Sequence, residues 1–475
     1  MGISLNPSTL LNGQGIDVSS LVQQILSQNS GQLTVWQNEQ MTLQGQASDI
    51  TVLNNDLSNL STAVQALSDP LGALTAMTAT SSDTGIVTAT ADTSATSGTH
   101  QIVVSNLATA GLVYTGYVSG GPDASFLPDG ATTGEIDLQI GGSSGATQPI
   151  TITPGSNDTL NSLASYINQQ NWGVTASVVT DANGSRLALV SQTTGSAGAL
   201  AITANDTNLA FQTPTGGTNA SLTIDGIPYS STTNTISGAI SGVTLNLAGA
   251  DANSPVQLSV GPDTTQATQA ISNFVSAYNQ VINDINQEFT VNAASNTEGP
   301  LGSDTALRSL QSSLMNDVTY AVSGNGGLVN LASLGISMND DGTLTIGTAP
   351  DGQTLSQVLA SNPSAFQNFF QNASSSGFAN HFESDLNNLT DPTLGVLNVD
   401  LAQNKAQQTD LSNTISNFET QLSAEQQQLT NEYSQINASL QAYPLLLQQV
   451  TETLATMGSQ SSGSTSASPT LTSGL

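Results

Sequence analysis

Large apolar side chains recur every seven residues at both ends of this 475-residue chain. A sustained repeat of this kind forms the seam of a helix that packs along another helix. The N-terminal seam comprises Trp36, Leu43, Ile50, Leu57 and Val64, and the C-terminal seam comprises Ile415, Leu422, Leu429, Ile436, Tyr443 and Val450. Neither helix can bury its seam alone, so the sequence predicts a rod in which both chain ends pack together.

The residues around the two seams indicate how the seams are used. Asp69-Pro70 is expected to end the first helix, and Pro444 is expected to kink the second. Gln, Asn, Ser and Thr dominate the positions beside the seams, so salt bridges cannot select the partner. Most heptads merely hold a fold together, but two long, nearly uncharged seams at opposite chain ends favour contacts shared between subunits. We therefore predict that the seam residues form a protein-interaction site.

Between the two ends, the apolar pattern changes to the alternation that is typical of half-buried strands. The predicted elements of the first part are strands within 84–107, 136–140 and 174–178, a helix over 160–169, and Gly/Pro-rich connections over 111–129 and 213–218. The segments Asp181-Ala182-Asn183-Gly184 and Asp225-Gly226 are predicted to turn two hairpins. Helical spacing returns after Pro262, where Asp263 is a suitable N-cap.

The order of these segments predicts an α+β multidomain fold with nested, discontinuous domains. A coiled-coil-containing helical domain and two β-rich domains are expected to follow one another inward from the terminal helices. The predicted boundaries are 1–38 with 425–475 for the terminal helices, 39–77 with 264–424 for the helical domain, 78–106 with 220–263 for the first β-rich domain, and 107–219 for an inserted β-rich domain.

Charge and cysteine content exclude several classes of function. Three Lys and Arg residues stand against 34 Asp and Glu residues, giving a net charge of −31, so nucleic acid and anionic lipid are poor partners. The chain has no cysteine, which excludes disulfides, thiolate catalysis and cysteine-bound zinc. The N-terminus lacks the pattern of a cleaved signal peptide and no apolar run is long enough to span a bilayer, so we predict secretion without cleavage and no membrane insertion.

Candidate catalytic and metal-binding residues are few. His100 and His381 lie in a predicted strand and a predicted helix without a nearby Asp/Ser pattern, so both are predicted to be structural. Asp340 and Asp341 precede Gly342 and are predicted to turn a hairpin, because the ligand spacing of a calcium loop is missing. We predict a chain that is not an enzyme, with no catalytic residue, no cofactor and no bound metal.

Short segments along nearly the whole chain resemble the motifs of a known family. Residues 15–22 and 103–108 resemble the start and close of the N-terminal region of the flagellar filament capping proteins, also called hook-associated protein 2. Residues 160–168, 173–178 and 186–189 resemble a repeat in the outer domains of flagellin-like and hook-associated proteins. The segments that resemble the C-terminal region of the capping family are 224–226, 240–245, 274–279, 334–336, 341–344, 362–363 and 369–370.

The resemblance implies a non-enzymatic cap at the distal end of the bacterial flagellar filament, which promotes flagellin folding and polymerisation and prevents flagellin loss. In such a cap the β domains form a plate and the terminal helices form legs, within a ring-shaped homo-oligomer. The implied partners are flagellin, other copies of the chain, and the flagellar type III export apparatus with its export chaperone. The implied location is outside the cell, at the filament tip.

Other functions remain open at this point. Another axial flagellar component, a junction protein or flagellin itself, would share the terminal helices, although the large block from 264 to 400 argues against flagellin. A secreted adhesin would fit the Thr/Gly-rich β domains. An extracellular glycan hydrolase would require a carboxylate pair in an aromatic cleft, and only 4% of the residues are aromatic.

Overall fold

Three separate hydrophobic cores organise the chain. The computed structural model describes residues 17–292, 297–372 and 376–460. The helices within this part are α1 (Val18–Asn29), α2 (Gly31–Ser68), α3 (Leu160–Gln169), α4 (Thr264–Phe289), α5 (Thr305–Val318), α6 (Leu355–Ser361), α7 (Pro363–Phe370), α8 (Phe378–Leu389) and α9 (Val396–Gln460). None of the described helices combines the length and apolarity needed to cross a membrane.

The strands lie between α2 and α4, except for one small hairpin between α5 and α6. In chain order they are β1 (Met77–Ser81), β2 (Val87–Ala91), β3 (Gly98–Asn106), β4 (Ala110–Thr115), β5 (Gly134–Ile140), β6 (Ala146–Ile152), β7 (Val174–Asp181), β8 (Gly184–Thr194), β9 (Leu200–Asn205), β10 (Phe211–Gly216), β11 (Ala220–Ile224), β12 (Ile227–Ser231), β13 (Thr235–Ile240), β14 (Val243–Leu247), β15 (Asp251–Pro262), β16 (Ile336–Met338) and β17 (Leu344–Ile346).

The inner β unit, which we define as β1–β3 with β11–β15, is built from two distant parts of the chain. Its sheets have the strand orders β1-β15-β3-β11-β12 and β13-β14-β2, and they enclose one core. The predicted Asp225-Gly226 hairpin is confirmed, with φ angles of 53° and 81° at its two turn residues. Positive φ at both positions gives the turn a twist that matches the paired strands, which explains why Asp-Gly is used here.

The outer β unit, which we define as β4–β10 with α3, is inserted between β3 and β11. Two sheets, β10-β4-β8-β7 and β6-β5-β9, share a core with α3. The predicted helix over 160–169 is confirmed, and a capping box between Thr159 and Ser162 fixes its start. The predicted hairpin at Asn183-Gly184 is also confirmed, because β7 pairs with β8 across it.

Two predicted connections in the outer β unit were wrong. Part of the 111–129 connection is strand β4, and the 213–218 linker lies largely in strand β10; the two strands pair with each other. The prediction treated Gly111 as part of a loop. In the structure a Cβ atom at this position would collide with the carbonyl oxygen of Gly198. This glycine permits the turn that contains Gly198, between β8 and β9, to approach strand β4 closely, and it does not mark a loop.

The ends of the outer β unit lie side by side, which makes a deletion testable. Thr109 donates its backbone N–H to the Thr218 carbonyl at 2.9 Å, and their hydroxyl oxygens are also 2.9 Å apart. Replacing residues 110–217 by two glycines is therefore expected to preserve a cooperative thermal transition, measured by circular dichroism. Removing only 174–193, which would leave the outer core open, is the control expected to lose cooperativity in that unit. Loss of the transition in the larger deletion would contradict the independence of the outer unit.

The helical core unit is formed by α2, α4–α8 and the start of α9. The predicted N-cap is confirmed, since the Asp263 side chain accepts hydrogen bonds from the N–H groups of Thr265 and Gln266. Aromatic rings fill its centre: Phe274 packs edge-to-face on Phe378 and Phe382, with ring centroids 5.8 and 5.7 Å apart. Phe366, Phe369 and Phe370 are fully buried here, and the predicted hairpin at 340–342 joins β16 to β17.

One acidic contact in the helical core unit makes its stability depend on pH. Burial raises the pKa of Asp56 to about 6, and the nearby Asp284 carboxylate adds to the rise. A folded-state pKa above the unfolded value means that ionisation disfavours the fold, so this site loses stability as pH rises from about 4 to about 6. Asp56→Asn is expected to raise the free energy of unfolding by roughly 1 kcal/mol above pH 7, after allowance for solvent screening, and by much less at about pH 4.

Urea denaturation at both pH values tests this expectation for Asp56. Asp410→Asn on the exposed surface of α9 is the matched control, because it removes the same charge without a buried partner. An equal gain in both variants would assign the effect to the net charge and contradict the local explanation.

The structure leaves the predicted domain boundaries as predictions. Residues 1–16 and 461–475 of the predicted terminal helices lie outside the described residues. The boundaries at 38/39 and 424/425 fall inside α2 and α9, each of which is one continuous helix. No helix therefore ends at the predicted boundary between the terminal helices and the helical domain.

Candidate assembly interface on the terminal helices

The two chain ends run antiparallel to each other. The Asn29 side chain contacts the Glu425 carboxylate at 3.2 Å, and the Trp36 ring packs edge-to-face on Phe418 with centroids 5.3 Å apart. Moving seven residues forward from Asn29 to Trp36 thus moves the contact seven residues back along α9. This register pairs α1 and the first half of α2 with the middle of α9.

Most of the predicted N-terminal seam is occupied within the chain itself. Ile50, Leu57 and Val64 are buried in the helical core unit. Leu43 and Trp36 are half-buried and lie on the part of α2 that packs along α9. The prediction of a site shared between subunits is therefore corrected for Ile50, Leu57 and Val64, because neighbouring helices of the same chain already cover them.

The C-terminal seam divides into a packed part and an open part. Ile415 is buried, and Leu422 and Leu429 are half-buried. Beyond them Ile436 is 42% exposed, while Tyr443 and Val450 are 63% and 50% exposed. The structure thus does not bring all six predicted residues into one covered seam.

The open part extends into a continuous apolar strip, which we call the leg stripe. It comprises Ile436, Tyr443, Leu447, Val450, Leu454 and Met457, each at least 42% exposed. Spacings of seven, four, three, four and three residues place these side chains on one face of α9. The stripe begins where the described partner helix ends, because the register of Asn29 on Glu425 places Val18, the first residue of α1, opposite Ile436.

Pro444 lies within α9 but does not end it. The helix continues from Val396 to Gln460 without an end at this residue, and the kink expected at Pro444 stays a prediction. Proline removes one hydrogen-bond donor inside a helix. The leg stripe therefore continues on one helix on both sides of Pro444.

Amides rather than ions fix the packed part of the seam. Asn404 is buried and donates to the Gln46 side chain at 3.2 Å, while Gln408 donates to the Leu43 carbonyl at 3.1 Å. Among the described residues, every recorded ion pair involves a histidine and none bridges α9 to α1 or α2. A buried amide pair sets register, because a slip would leave both amides without partners.

Both histidines lie beside acidic side chains in the folded chain. His100 Nδ1 lies 2.8 Å from Asp225 Oδ2 beside a groove of about 440 Å³ in the inner β unit, and this hydrogen bond lowers the pKa of Asp225. His381 Nε2 lies 3.6 Å from Asp317 Oδ1 and 3.9 Å from Asp385 Oδ2. Asp225 and Asp317 are distant from their histidines along the chain, so no local motif could have revealed these two pairs, whereas Asp385 lies four residues after His381 on the same helix.

Family models match most of the chain. A model of the flagellar hook-associated protein 2 C-terminus matches residues 217–443, and a model of its N-terminus matches residues 14–111. A flagellin hook IN motif matches residues 137–193. The two hook-associated models therefore cover both parts of the inner β unit, much of the helical core unit and most of the terminal helices.

Whole-chain comparisons agree with the family models. The B-type flagellar hook-associated protein 2 of Pseudomonas aeruginosa is 27% identical over 395 residues, which cover 75% of this chain and 78% of the relative. The flagellar hook-associated protein 2 of Escherichia coli K12 is 24% identical over 381 residues, which again cover 75% of this chain and 78% of the relative. The crystal structure of the D1-D2-D3 domains of the flagellar cap protein FliD from Escherichia coli aligns with a TM-score of 0.57 at 26% identity, covering 75% of this chain and 99% of that one. The chain therefore belongs to the flagellar hook-associated protein 2 family, the flagellar cap proteins.

Proposed function

We propose that this chain caps the distal end of a flagellar filament by docking the leg stripe on the terminal helices of flagellin. The observation that carries the proposal is the apolar face of α9 from Ile436 to Met457, which none of the described residues covers, in a family of cap proteins. Half-exposed Leu, Val and Tyr side chains in a row are costly in water and are satisfied by a partner helix with a complementary seam.

The topology supports separate roles for the β units and the terminal helices. β1 pairs with β15 where the chain enters and leaves the β part, with Met77 opposite Pro262. Both chain ends therefore leave the β part at the same side. We assign the plate of a ring-shaped homo-oligomer to the two β units and its legs to α1, the start of α2 and the distal part of α9.

Weak contacts suit a cap that must re-seat as each flagellin subunit is added. The described terminal helices pair through amides and half-buried apolar residues rather than through charge pairs. Such contacts are modest in free energy and can be exchanged without a high barrier. In this proposal the cap promotes flagellin folding and polymerisation by shielding the filament end, and no chemical reaction is required.

Export by the flagellar type III apparatus, with an export chaperone, is part of the proposal. The absence of cysteine agrees with it, since the chain needs no disulfide after reaching the cell exterior. Contacts with flagellin and with other copies of the chain in a ring would also explain why α9 extends beyond the described helices that pack on it.

The test of this function uses cells from which the gene has been deleted. They are expected to release unpolymerised flagellin into the medium and to carry no long filaments, and the full-length gene is expected to restore both properties. Normal filaments in the deletion strain would contradict the cap function and favour a surface adhesin, whose loss would reduce attachment instead.

A further inference from the structure

Three side chains with the chemistry of metal ligands meet in the helical core unit. Asp317 lies in the last turn of α5, and His381 and Asp385 lie one turn apart on α8. Their nearest ligand atoms, one from each residue, all lie within 4.8 Å of one another. His381 Nε2 is 3.6 Å from Asp317 Oδ1 and 3.9 Å from Asp385 Oδ2.

The two histidine–carboxylate distances are close to those that a small divalent cation requires. Two ligand atoms that are each about 2.1 Å from zinc at a tetrahedral angle lie about 3.4 Å apart. The two measured separations exceed this value by only a few tenths of an ångström. Rotation of the partly exposed Asp385 side chain closes the larger of the two differences.

One oxygen of the buried Asp317 carboxyl group has no hydrogen-bond partner, and burial beside the Asp385 carboxylate raises the pKa of Asp317 to about 8. The side chain is 2% exposed, and its Oδ2 atom accepts no hydrogen bond. A buried carboxylate is costly unless a cation or hydrogen-bond donors compensate it. Two of the chain's three Lys and Arg residues are engaged elsewhere: Arg186 lies over the Tyr117 ring, and Arg308 donates to the Gly302 carbonyl.

The histidine is held in position for binding. The Tyr320 ring stacks on the His381 ring with centroids 4.0 Å apart and an interplanar angle of 21°. The Tyr320 hydroxyl in turn donates to the Ser376 carbonyl at 3.3 Å. Stacking fixes the plane of the imidazole, and Nε2 faces both carboxylates, as a metal-binding imidazole requires.

We propose that Asp317, His381 and Asp385 bind one divalent transition-metal cation of the zinc class, which links α5 to α8. One imidazole and two carboxylates form a mixed nitrogen and oxygen ligand set that zinc accepts in proteins. The partly exposed His381 gives the ion a path from solvent, and water completes the coordination. The ion stabilises the helical core unit and has no assigned role in chemistry.

The experiment measures zinc binding and thermal unfolding of the chelator-treated full-length chain. We expect one tightly bound zinc per chain by equilibrium dialysis and a rise in the melting temperature of the helical core unit. His381→Ala and Asp317→Asn are each expected to weaken zinc binding at least tenfold and to abolish the rise. Asp317→Asn also removes a buried ionisable group whose ionisation is unfavourable, so it is expected to melt without zinc at a temperature no lower than that of the unmodified chain.

His100→Ala is the matched control, because it disrupts the other His–Asp pair and should leave zinc binding unchanged. Undetectable tight binding in the unmodified chain would overturn the proposal and leave a proton shared by Asp317 and Asp385 as the compensating charge. Tight binding that persists in both His381→Ala and Asp317→Asn would overturn it as well, since the ion would then lie elsewhere on this acidic surface.

Discussion

Replacing Leu447, Val450 and Leu454 together by glutamine is expected to stop filament growth while leaving the monomer folded. These side chains are at least 50% exposed in the isolated chain, so the fold loses little when they become polar. In the assembled cap, each substitution would remove roughly 1 to 2 kcal/mol of the free energy gained by burying an apolar side chain. The combined loss of several kcal/mol weakens leg docking more than 100-fold. Glutamine keeps a helix propensity close to that of leucine, so α9 should persist.

The measurements are filament length by electron microscopy and the amount of flagellin in the culture medium at matched export of the variant. The matched control changes Gln441, Gln448 and Glu452 to alanine on the opposite face of the same helix segment, where wild-type filaments are expected. Normal filament length in the leg-stripe variant would show that this face does not mediate docking.

Removing the Phe378 ring is expected to have the largest effect on stability. Phe378 is fully buried and packs against Phe274, Phe369, Phe370 and Phe382, with ring centroids 5.5 to 5.9 Å away. Phe378→Ala leaves a cavity among these rings and is expected to cost about 3 to 5 kcal/mol. Because the β units have separate cores, only the helical transition should move to lower temperature.

Differential scanning calorimetry measures this effect, since it resolves transitions of independent units. Phe126→Ala, which removes a buried ring from the outer β unit, is the control and should lower only the transition of that unit. A single transition shifted equally by both substitutions would contradict three separately stabilised cores.

Local side-chain chemistry explains which elements could be predicted from the sequence. The helix Leu160–Gln169 was predicted with both ends correct, and its capping box lies within four consecutive residues. Asp263 and the Asp225-Gly226 turn also act on their immediate neighbours. Strand β4 was missed because Gly111 is required by a distant backbone segment rather than by a turn.

The candidate interface could be predicted only in part, for a physical reason. Leu57 and Tyr443 occupy equivalent positions in two similar heptads, yet the first is fully buried and the second is 63% exposed. The difference in exposure arises because α9 extends beyond the described helices that pack on it, whereas α2 is covered at Leu57. The spacing of apolar residues within one helix cannot show how far that helix extends beyond its partner. The histidine pairs were missed for a related reason, since His100 meets a carboxylate 125 positions away in sequence.

Binding to preformed filaments tests the cap function most directly. Gold-labelled full-length protein is added to sheared flagellar filaments, and the label is located by electron microscopy beside the leg-stripe variant. The cap model predicts label at one end of each filament, as a ring, and none for the variant. Label distributed along the filament sides, or equal end binding by the variant, would contradict a cap that docks through the distal face of α9.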